Sequence, residues 1–199
     1  MFAREPRRRA FIKRGIPKVT FKKLALAAAT AASLACLQSP ASAENFITEI
    51  RGGIYDHDAS MFGSRYETAN PDINLEVRFT TPDFLSWAFS PNPVLGADIN
   101  TGDGTSLAYL GLGWDIYFTD HIFLDFTLGG AVHDGETDRR TADSANYGCR
   151  FNFHESVSVG YNFDGSNSIM LSVDHMSNAR LCEKNDGLTN FGIRYAYRF

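Results

Sequence analysis

A histidine and a serine lie two residues apart at the end of an alternating apolar segment, where His175 and Ser177 follow Val173. Residues two apart project from the same face of an extended strand. An imidazole beside a hydroxyl can supply a base and a nucleophile, because serine is a weak nucleophile until a neighbouring base takes its proton. The pair therefore predicts a hydrolytic site. The alternative interpretation is a polar strand end that runs into a turn.

The first 43 residues differ in composition from the rest of the chain. A basic stretch at 4–23 precedes an apolar, alanine-rich stretch at 24–37, and small residues follow at 41–43. That order is typical of a secretory signal peptide, and its apolar part is too short to span a membrane. We predict a signal peptide over 1–43 and a mature domain over 44–199. Arg8 and Arg9 also resemble a twin-arginine export signal, although export of an unfolded chain is the preferred interpretation.

Short alternating segments recur along the mature domain. In 72–81, for example, Ile73, Leu75 and Val77 share one face, and Asn74 and Glu76 share the other. This alternation is typical of strands with one apolar face. The formal net charge of −4 gives no support for a nucleic-acid partner. We predict eight strands, at about 46–55, 72–81, 94–100, 106–118, 121–133, 149–163, 168–177 and 188–199.

The polar face of these segments carries glycine and charge, which suits a barrel lumen better than a soluble surface. Aromatic residues cluster at the segment ends, where a membrane barrel has its interfacial girdles. The chain ends on an alternating aromatic segment with Phe199, which resembles the assembly signal of bacterial outer-membrane proteins. We predict an all-β fold, an eight-stranded antiparallel transmembrane β-barrel, with a soluble lipid-binding barrel as the alternative. The predicted lumen charges are Glu76, Arg78, Asp98, Asp115, Asp125, Arg194 and Arg198.

The strand parity places the histidine and the serine on the outer wall. With both chain ends in the periplasm, the long connections 56–71, 134–148 and 178–187 lie at the outer end, and the odd residues of 168–177 face lipid. Ionisable groups that face hydrocarbon are costly and usually functional. The alternative is a position just above the hydrocarbon, where polarity costs little. The connection 82–93 is long for an inner turn, and we expect its apolar residues Phe84, Leu85, Trp87 and Phe89 at the membrane interface.

Cys149 and Cys182 are the two cysteines of the mature domain, and both fall at the outer end. An even pair in an oxidising compartment suggests a disulfide, and two free thiols are the alternative. His133 and His154 fall at lumen or rim positions and have no second ligand at metal-binding spacing. We therefore predict no metal and no cofactor.

The segment from His175 to Leu181, followed by Asn185-Asp186-Gly187, resembles the signature of the lipid A 3-O-deacylase (PagL-type) outer-membrane enzymes. The shared pattern is H-x-S-N-A, a leucine two residues on, and N-x-G before the last strand. The resemblance implies an eight-stranded barrel with an active site that faces the outer leaflet. It also implies hydrolysis of the ester that holds the acyl chain at position 3 of lipid A. By the motif, His175 is the base, Ser177 the nucleophile and Asn178 an oxyanion donor.

One position departs from the family pattern, which has a glutamate fourteen residues after the histidine, where this chain has Thr189. A threonine hydroxyl does not ionise as a carboxyl does. The site is then a weaker dyad, uses another carboxylate, or is inactive in a structural barrel. Glu155 is the preferred substitute because its parity puts it on the outward face, opposite or diagonal to His175. Glu183 and Asp186 in the outer loop are the next candidates.

The sequence thus predicts a carboxylic ester hydrolase whose partner is lipid A or lipopolysaccharide in the bacterial outer membrane. The alternative function is a non-catalytic small outer-membrane barrel that serves adhesion or envelope integrity. The sequence does not predict an oligomeric state.

Overall fold

A closed antiparallel barrel forms the whole of the chain that the structure, a computed structural model, describes: residues 46–60, 65–67, 70–138 and 144–199. Each strand pairs with its sequence neighbours, and β1 pairs with β8. The predicted signal peptide lies outside these residues. The strands are β1 (Ile47–Asp56), β2 (Asp72–Phe79), β3 (Asn92–Asn100), β4 (Leu107–Tyr117), β5 (Ile122–His133), β6 (Phe151–Asn162), β7 (Asn167–Ser177) and β8 (Leu188–Arg198).

Side chains alternate between the lumen and the outer wall, as the sequence pattern predicts. On β7, Ser168, Met170 and Ser172 are buried, whereas Ile169 and Leu171 are exposed. The other strands expose similar apolar rows, which together form the band that a membrane barrel presents to lipid. The eight-stranded transmembrane barrel is therefore confirmed. The soluble alternative is wrong, because it would bury the apolar face inside. No helix among the described residues is long and apolar enough to span a membrane.

Ion pairs fill the inner and middle parts of the lumen. Arg51 lies 2.9 Å from Asp125, and Arg194 lies 2.9 Å from Glu76. Charges removed from water are costly unless they are paired and hydrogen-bonded, and each arginine here contacts at least two acids. The predicted lumen charges are confirmed, although Asp98 lies outside this network. The arginine–acid network consists of Arg51, Arg78, Arg194 and Arg198 with Glu49, Glu76, Asp115 and Asp125.

A second buried polar group, the outer-loop cluster of His57, Glu67, Asp72, Thr105 and Tyr147, connects the outer loops to the barrel. His57 contacts Asp72 through Nδ1 (2.9 Å) and Glu67 through Nε2 (3.0 Å). Thr105 and Tyr147 donate hydroxyl hydrogen bonds to the Glu67 carboxylate. Burial by itself lowers the pKa of His57, but the hydrogen bonds to the two carboxylates outweigh it and raise the pKa to about 9.

The inner end of the barrel carries the C-terminal residue Phe199 and a short 3₁₀ helix (Asp83–Ala88) in the connection between β2 and β3. Phe84 and Trp87 of this helix and its C-cap residue Phe89 are exposed, whereas Leu85 is half-buried. Trp114 Nε1 on β4 donates a hydrogen bond to the Ala88 carbonyl, 2.9 Å away, and so holds the helix against the wall. Contact of these aromatic side chains with the membrane interface stays a prediction.

Candidate active site

His175 lies on β7 between two directly opposed residues, Glu155 on β6 and Thr189 on β8. Of the two predicted placements of Glu155, opposite or diagonal to His175, the register shows the first. Thr189 Oγ1 lies 2.8 Å from His175 Nδ1, so the residue at the family's acid position does contact the imidazole, through a hydroxyl. The histidine is half-buried on the outward row of the strand. The three side chains therefore form one row across three strands near the outer end.

The contact with Thr189 engages Nδ1 of His175, so the role of Nε2 depends on which partner donates. When Nδ1 carries the proton, it donates to the threonine hydroxyl, and Nε2 keeps a free lone pair. Ser177 lies on the same face of β7, one repeat nearer the outer rim. Within the described part of the chain, the imidazole bonds to Thr189 and not to Ser177. Catalytic hydrogen bonds often tighten only in the substrate complex, and rotation about χ1 of the serine would move its hydroxyl.

Gly187, the last residue of the N-x-G pattern, brings the outer loop back against the imidazole. Its φ is +73°, in the left-handed region that favours glycine. A Cβ atom at this position would lie 3.0 Å from His175 Cε1. The glycine is therefore required twice, for the backbone conformation and for the close approach to the ring.

Asn178 is buried and organises the loop that follows Ser177. Its backbone N–H donates to Asn185 Oδ1 at 2.7 Å, and its side-chain Nδ2 donates to the carbonyls of Tyr147 (2.8 Å) and Lys184. Both side-chain amide protons are thus used inside the protein. The predicted oxyanion role of Asn178 stays a prediction, and it requires the residue to release one of these bonds in the substrate complex.

The backbone next to Asn178 is unusual. Ala179 and Arg180 have φ of 51° and 63°, and non-glycine residues rarely adopt these values. Such backbone conformations cost energy and persist only where the surrounding structure holds them in place. They occur most often at functional sites. Here Asn178 supplies part of that support, since its carbonyl accepts a hydrogen bond from the Leu181 N–H at 2.9 Å.

Cys149 and Cys182 are joined in a disulfide, with their Cα atoms 6.0 Å apart. The bond connects the residues that precede β6 to the loop that follows Asn178. The two alternative acids lie in that same loop. Asp186 accepts a hydrogen bond from the Asn146 backbone N–H at 2.8 Å, and Glu183 is exposed. Neither is a register partner of His175.

Directly behind this row, His154 and Asp174 point into the lumen and meet Asp98 of β3. One potential ligand atom from each of the three residues lies within 4.8 Å of the other two. Sequence spacing around His154 did not predict this group, because Asp98 lies on β3, which faces β6 and β7 across the lumen only in the closed barrel.

Comparisons with known proteins find similarity in the part of the chain that carries His175 and Ser177. A family model described as lipid A 3-O-deacylase (PagL) matches residues 115–198. The crystal structure of the outer membrane enzyme PagL superposes with a TM-score of 0.57 at 18% identity, and the match covers 76% of this chain and 99% of that chain. A search of curated proteins found no match.

Two further solved structures have lower similarity. A de novo designed transmembrane β-barrel has a TM-score of 0.49 at 10% identity, with 81% of this chain and 98% of that chain covered. Ail, the attachment invasion locus protein of Yersinia pestis, has a TM-score of 0.47 at 10% identity, with 77% and 98% covered. The predicted resemblance to the lipid A 3-O-deacylase (PagL) family is confirmed over residues 115–198, the part of the barrel that carries His175 and Ser177.

Proposed function

We propose that this barrel is an outer-membrane serine esterase that removes the 3-O-linked acyl chain from lipid A of lipopolysaccharide. The observation that supports it most is the position of His175 and Ser177 on the lipid-facing row, inside the segment that matches the deacylase family. An ester in the outer leaflet meets this row directly. The substrate's acyl chains therefore need no internal cavity.

The wall beside Ser177 is suited to an acyl chain. Phe153 is the register partner of Ser177, and Val173 and Leu171 continue the outward row toward the inner end. A chain whose ester carbon contacts Ser177 would lie along these apolar side chains. When the acyl chain moves from the lipid to this wall, it exchanges one hydrocarbon environment for another, so this contact contributes little to affinity. Recognition must then come mainly from the polar sugar end of the substrate.

The proposed reaction has two steps. His175 Nε2 takes the hydroxyl proton of Ser177, and Oγ bonds to the ester carbonyl carbon. The tetrahedral intermediate collapses as the imidazolium returns the proton to the departing sugar oxygen. Water, deprotonated by the same nitrogen, then hydrolyses the acyl-serine and releases the fatty acid. Asn178 is the proposed donor to the oxyanion.

In a triad, one carboxylate both orients the histidine and stabilises its charged form. We assign these two roles separately to Thr189 and Glu155. In the reactive tautomer, Nδ1–H donates a hydrogen bond to Thr189 Oγ1, which lies 2.8 Å away and orients the ring. Glu155, on the opposite side, supplies negative charge that stabilises the imidazolium when it forms. This arrangement predicts an active enzyme with a less strongly supported base than a full triad has.

A non-catalytic barrel for adhesion or envelope integrity is the second candidate, and the threonine at position 189 is the observation that favours it. Purified lipopolysaccharide incubated with detergent-refolded protein distinguishes the two, with released 3-hydroxy fatty acid measured by mass spectrometry. We expect release by the wild type and none by Ser177→Ala or His175→Ala. His121→Ala, an exposed histidine at the inner end, is the matched control. Undiminished release by folded Ser177→Ala would exclude the nucleophile, and no release by any form would favour the non-catalytic barrel.

A further inference from the structure

The lumen holds a compact group of three potential ligands, which we call the lumen cluster: Asp98 on β3, His154 on β6 and Asp174 on β7. The three residues are 0%, 1% and 3% exposed, so bulk water does not solvate them. His154 Nε2 lies 3.9 Å from Asp174 Oδ2. That separation is too long for a hydrogen bond.

Both ring nitrogens of His154 lack a hydrogen bond to any described residue. The Asp98 and Asp174 carboxyls lie close enough to share one proton in a hydrogen bond, and Oδ2 of each has no other hydrogen-bond partner among the described residues. The imidazole is held by packing, since it stacks on Tyr109 with ring centroids 4.0 Å apart and an interplanar angle of 11°. Buried polar groups are nearly always hydrogen-bonded, and each exception calls for an explanation.

The charges of the lumen cluster are also unbalanced. The arginine–acid network below it contains four arginines and four acids that pair with one another. Among the described residues, neither Asp98 nor Asp174 forms an ion pair with a lysine or an arginine. Asp98 does receive one neutral hydrogen bond, from Asn74 Nδ2 to Oδ1 at 2.7 Å. Two buried carboxylates therefore remain without a compensating positive charge.

The outer-loop cluster provides a contrast within the same chain. His57 is equally buried and also lies beside two carboxylates, but both of its ring nitrogens bond to them, at 2.9 and 3.0 Å. That histidine is satisfied as an imidazolium between two anions. His154 has the same kind of neighbours and bonds to neither.

We propose that the lumen cluster binds one divalent cation, for which Zn²⁺ fits best. An imidazole nitrogen and two carboxylate oxygens are a donor set that zinc accepts, whereas calcium and magnesium prefer oxygen alone. A cation about 2.1 Å from each atom spans the 3.9 Å between His154 Nε2 and Asp174 Oδ2. Its two positive charges balance the two carboxylates. Asn74 then orients the Asp98 ligand from behind.

A bound ion would fix three strands directly behind the proposed active site. His154 and Asp174 immediately precede Glu155 and His175 in the sequence. Glu155 and His175 are register partners on β6 and β7, whereas His154 and Asp174 lie diagonal to each other across the same two strands. The ligands are positioning residues, because they face the lumen and do not touch the substrate wall. The ion would hold the register on which the outward row depends.

Zinc binding is measured on the full mature barrel, independently of any hydrolysis. The protein is refolded in detergent from metal-free denaturant, with and without Zn²⁺, and freed of unbound ion. Bound zinc is then counted by elemental mass spectrometry, and thermal unfolding is followed by gel migration. We expect one zinc per barrel and a higher unfolding midpoint with the ion. His154→Gln and Asp174→Asn should lose the zinc, and Asn74→Ala should weaken its binding about 10- to 100-fold.

Two controls separate the lumen cluster from other histidine sites. His57→Gln alters the outer-loop cluster and His175→Ala alters the proposed active site, and both should keep one zinc. Less than one zinc ion per folded wild-type barrel would overturn the proposal, and this measurement needs no variant. It would indicate that a shared proton neutralises the two carboxylates. Zinc that remains in folded His154→Gln would also overturn it. Neither result depends on whether the barrel hydrolyses lipid A.

Discussion

Replacing Glu155 by glutamine removes the carboxylate that the register sets opposite His175 while keeping the size of the side chain. Cross-strand partners have Cβ atoms about 5 Å apart, so we take the charged groups to be about 6 Å apart. At that separation and an effective dielectric constant of about 20, the carboxylate attracts the imidazolium by about 2.8 kcal/mol. Because about 1.4 kcal/mol corresponds to a tenfold change in rate, deacylation by Glu155→Gln should fall about 100-fold.

Changes at Thr189 test the other side of the same histidine. Thr189→Val keeps the shape and removes the 2.8 Å hydrogen bond to Nδ1. A neutral hydrogen bond contributes about 0.5–1.5 kcal/mol, so the rate should fall only about 2- to 13-fold. Thr189→Glu restores a carboxylate at the family's position and should raise the rate. The upper limit is given by the effect of a triad carboxylate, on the order of 10⁴ in serine proteases.

All three variants are compared by their initial rates of deacylation on purified lipid A in detergent micelles. Each rate is corrected for the folded fraction, which heat-modifiable gel migration measures. A silent Glu155→Gln together with a strongly activated Thr189→Glu would exclude Glu155 from the reaction. A larger loss for Thr189→Val than for Glu155→Gln would show that orientation by the hydroxyl outweighs the charge of the carboxylate.

Three further outcomes are expected. Thiol titration of protein purified without reductant should find Cys149 and Cys182 unreactive, and two reactive thiols would refute the disulfide. Because the pKa of His57 is about 9 instead of the ordinary 6.5, its contribution to stability is full below pH 6.5 and is lost as the pH rises through about 9. The unfolding midpoint should therefore fall across that window in the wild type and not in His57→Gln; parallel curves would contradict this. Gly187→Ala should reduce deacylation about tenfold or more, since left-handed strain of about 1–3 kcal/mol adds to a clash with the imidazole. Gly165→Ala, with φ of +87° and nothing within 4 Å, is its control, and an equal loss of activity there would remove the clash from the explanation.

The barrel was predictable from the sequence because strand alternation and turn residues are local signals. The strands begin and end within two residues of the predicted positions. The His175–Ser177 pair was predictable for the same reason, as was its place on the outward row. The short inner turn between β6 and β7 also placed Glu155 opposite or diagonal to His175, and the register shows direct opposition.

What the sequence did not predict depends on contacts between distant strands or on side-chain rotamers. Thr189 was recognised as a missing acid, but its hydrogen bond to Nδ1 depends on the register of β7 and β8. The inward turn of Asn178 depends on carbonyls supplied by two outer loops. The group formed by Asp98, His154 and Asp174 requires closure of the barrel, because β3 lies across the lumen from the other two strands.

We propose that Ser177 on the outer wall removes one acyl chain from lipid A, and the mass spectrum of lipid A tests this role most directly. Lipid A is extracted from Gram-negative cells that express the wild-type chain or Ser177→Ala at equal levels of folded protein. Cells with the wild type should yield lipid A that is lighter by one 3-hydroxyacyl group, and cells with Ser177→Ala should yield the unmodified lipid. Identical spectra from the two strains, either both modified or both unmodified, would contradict the account.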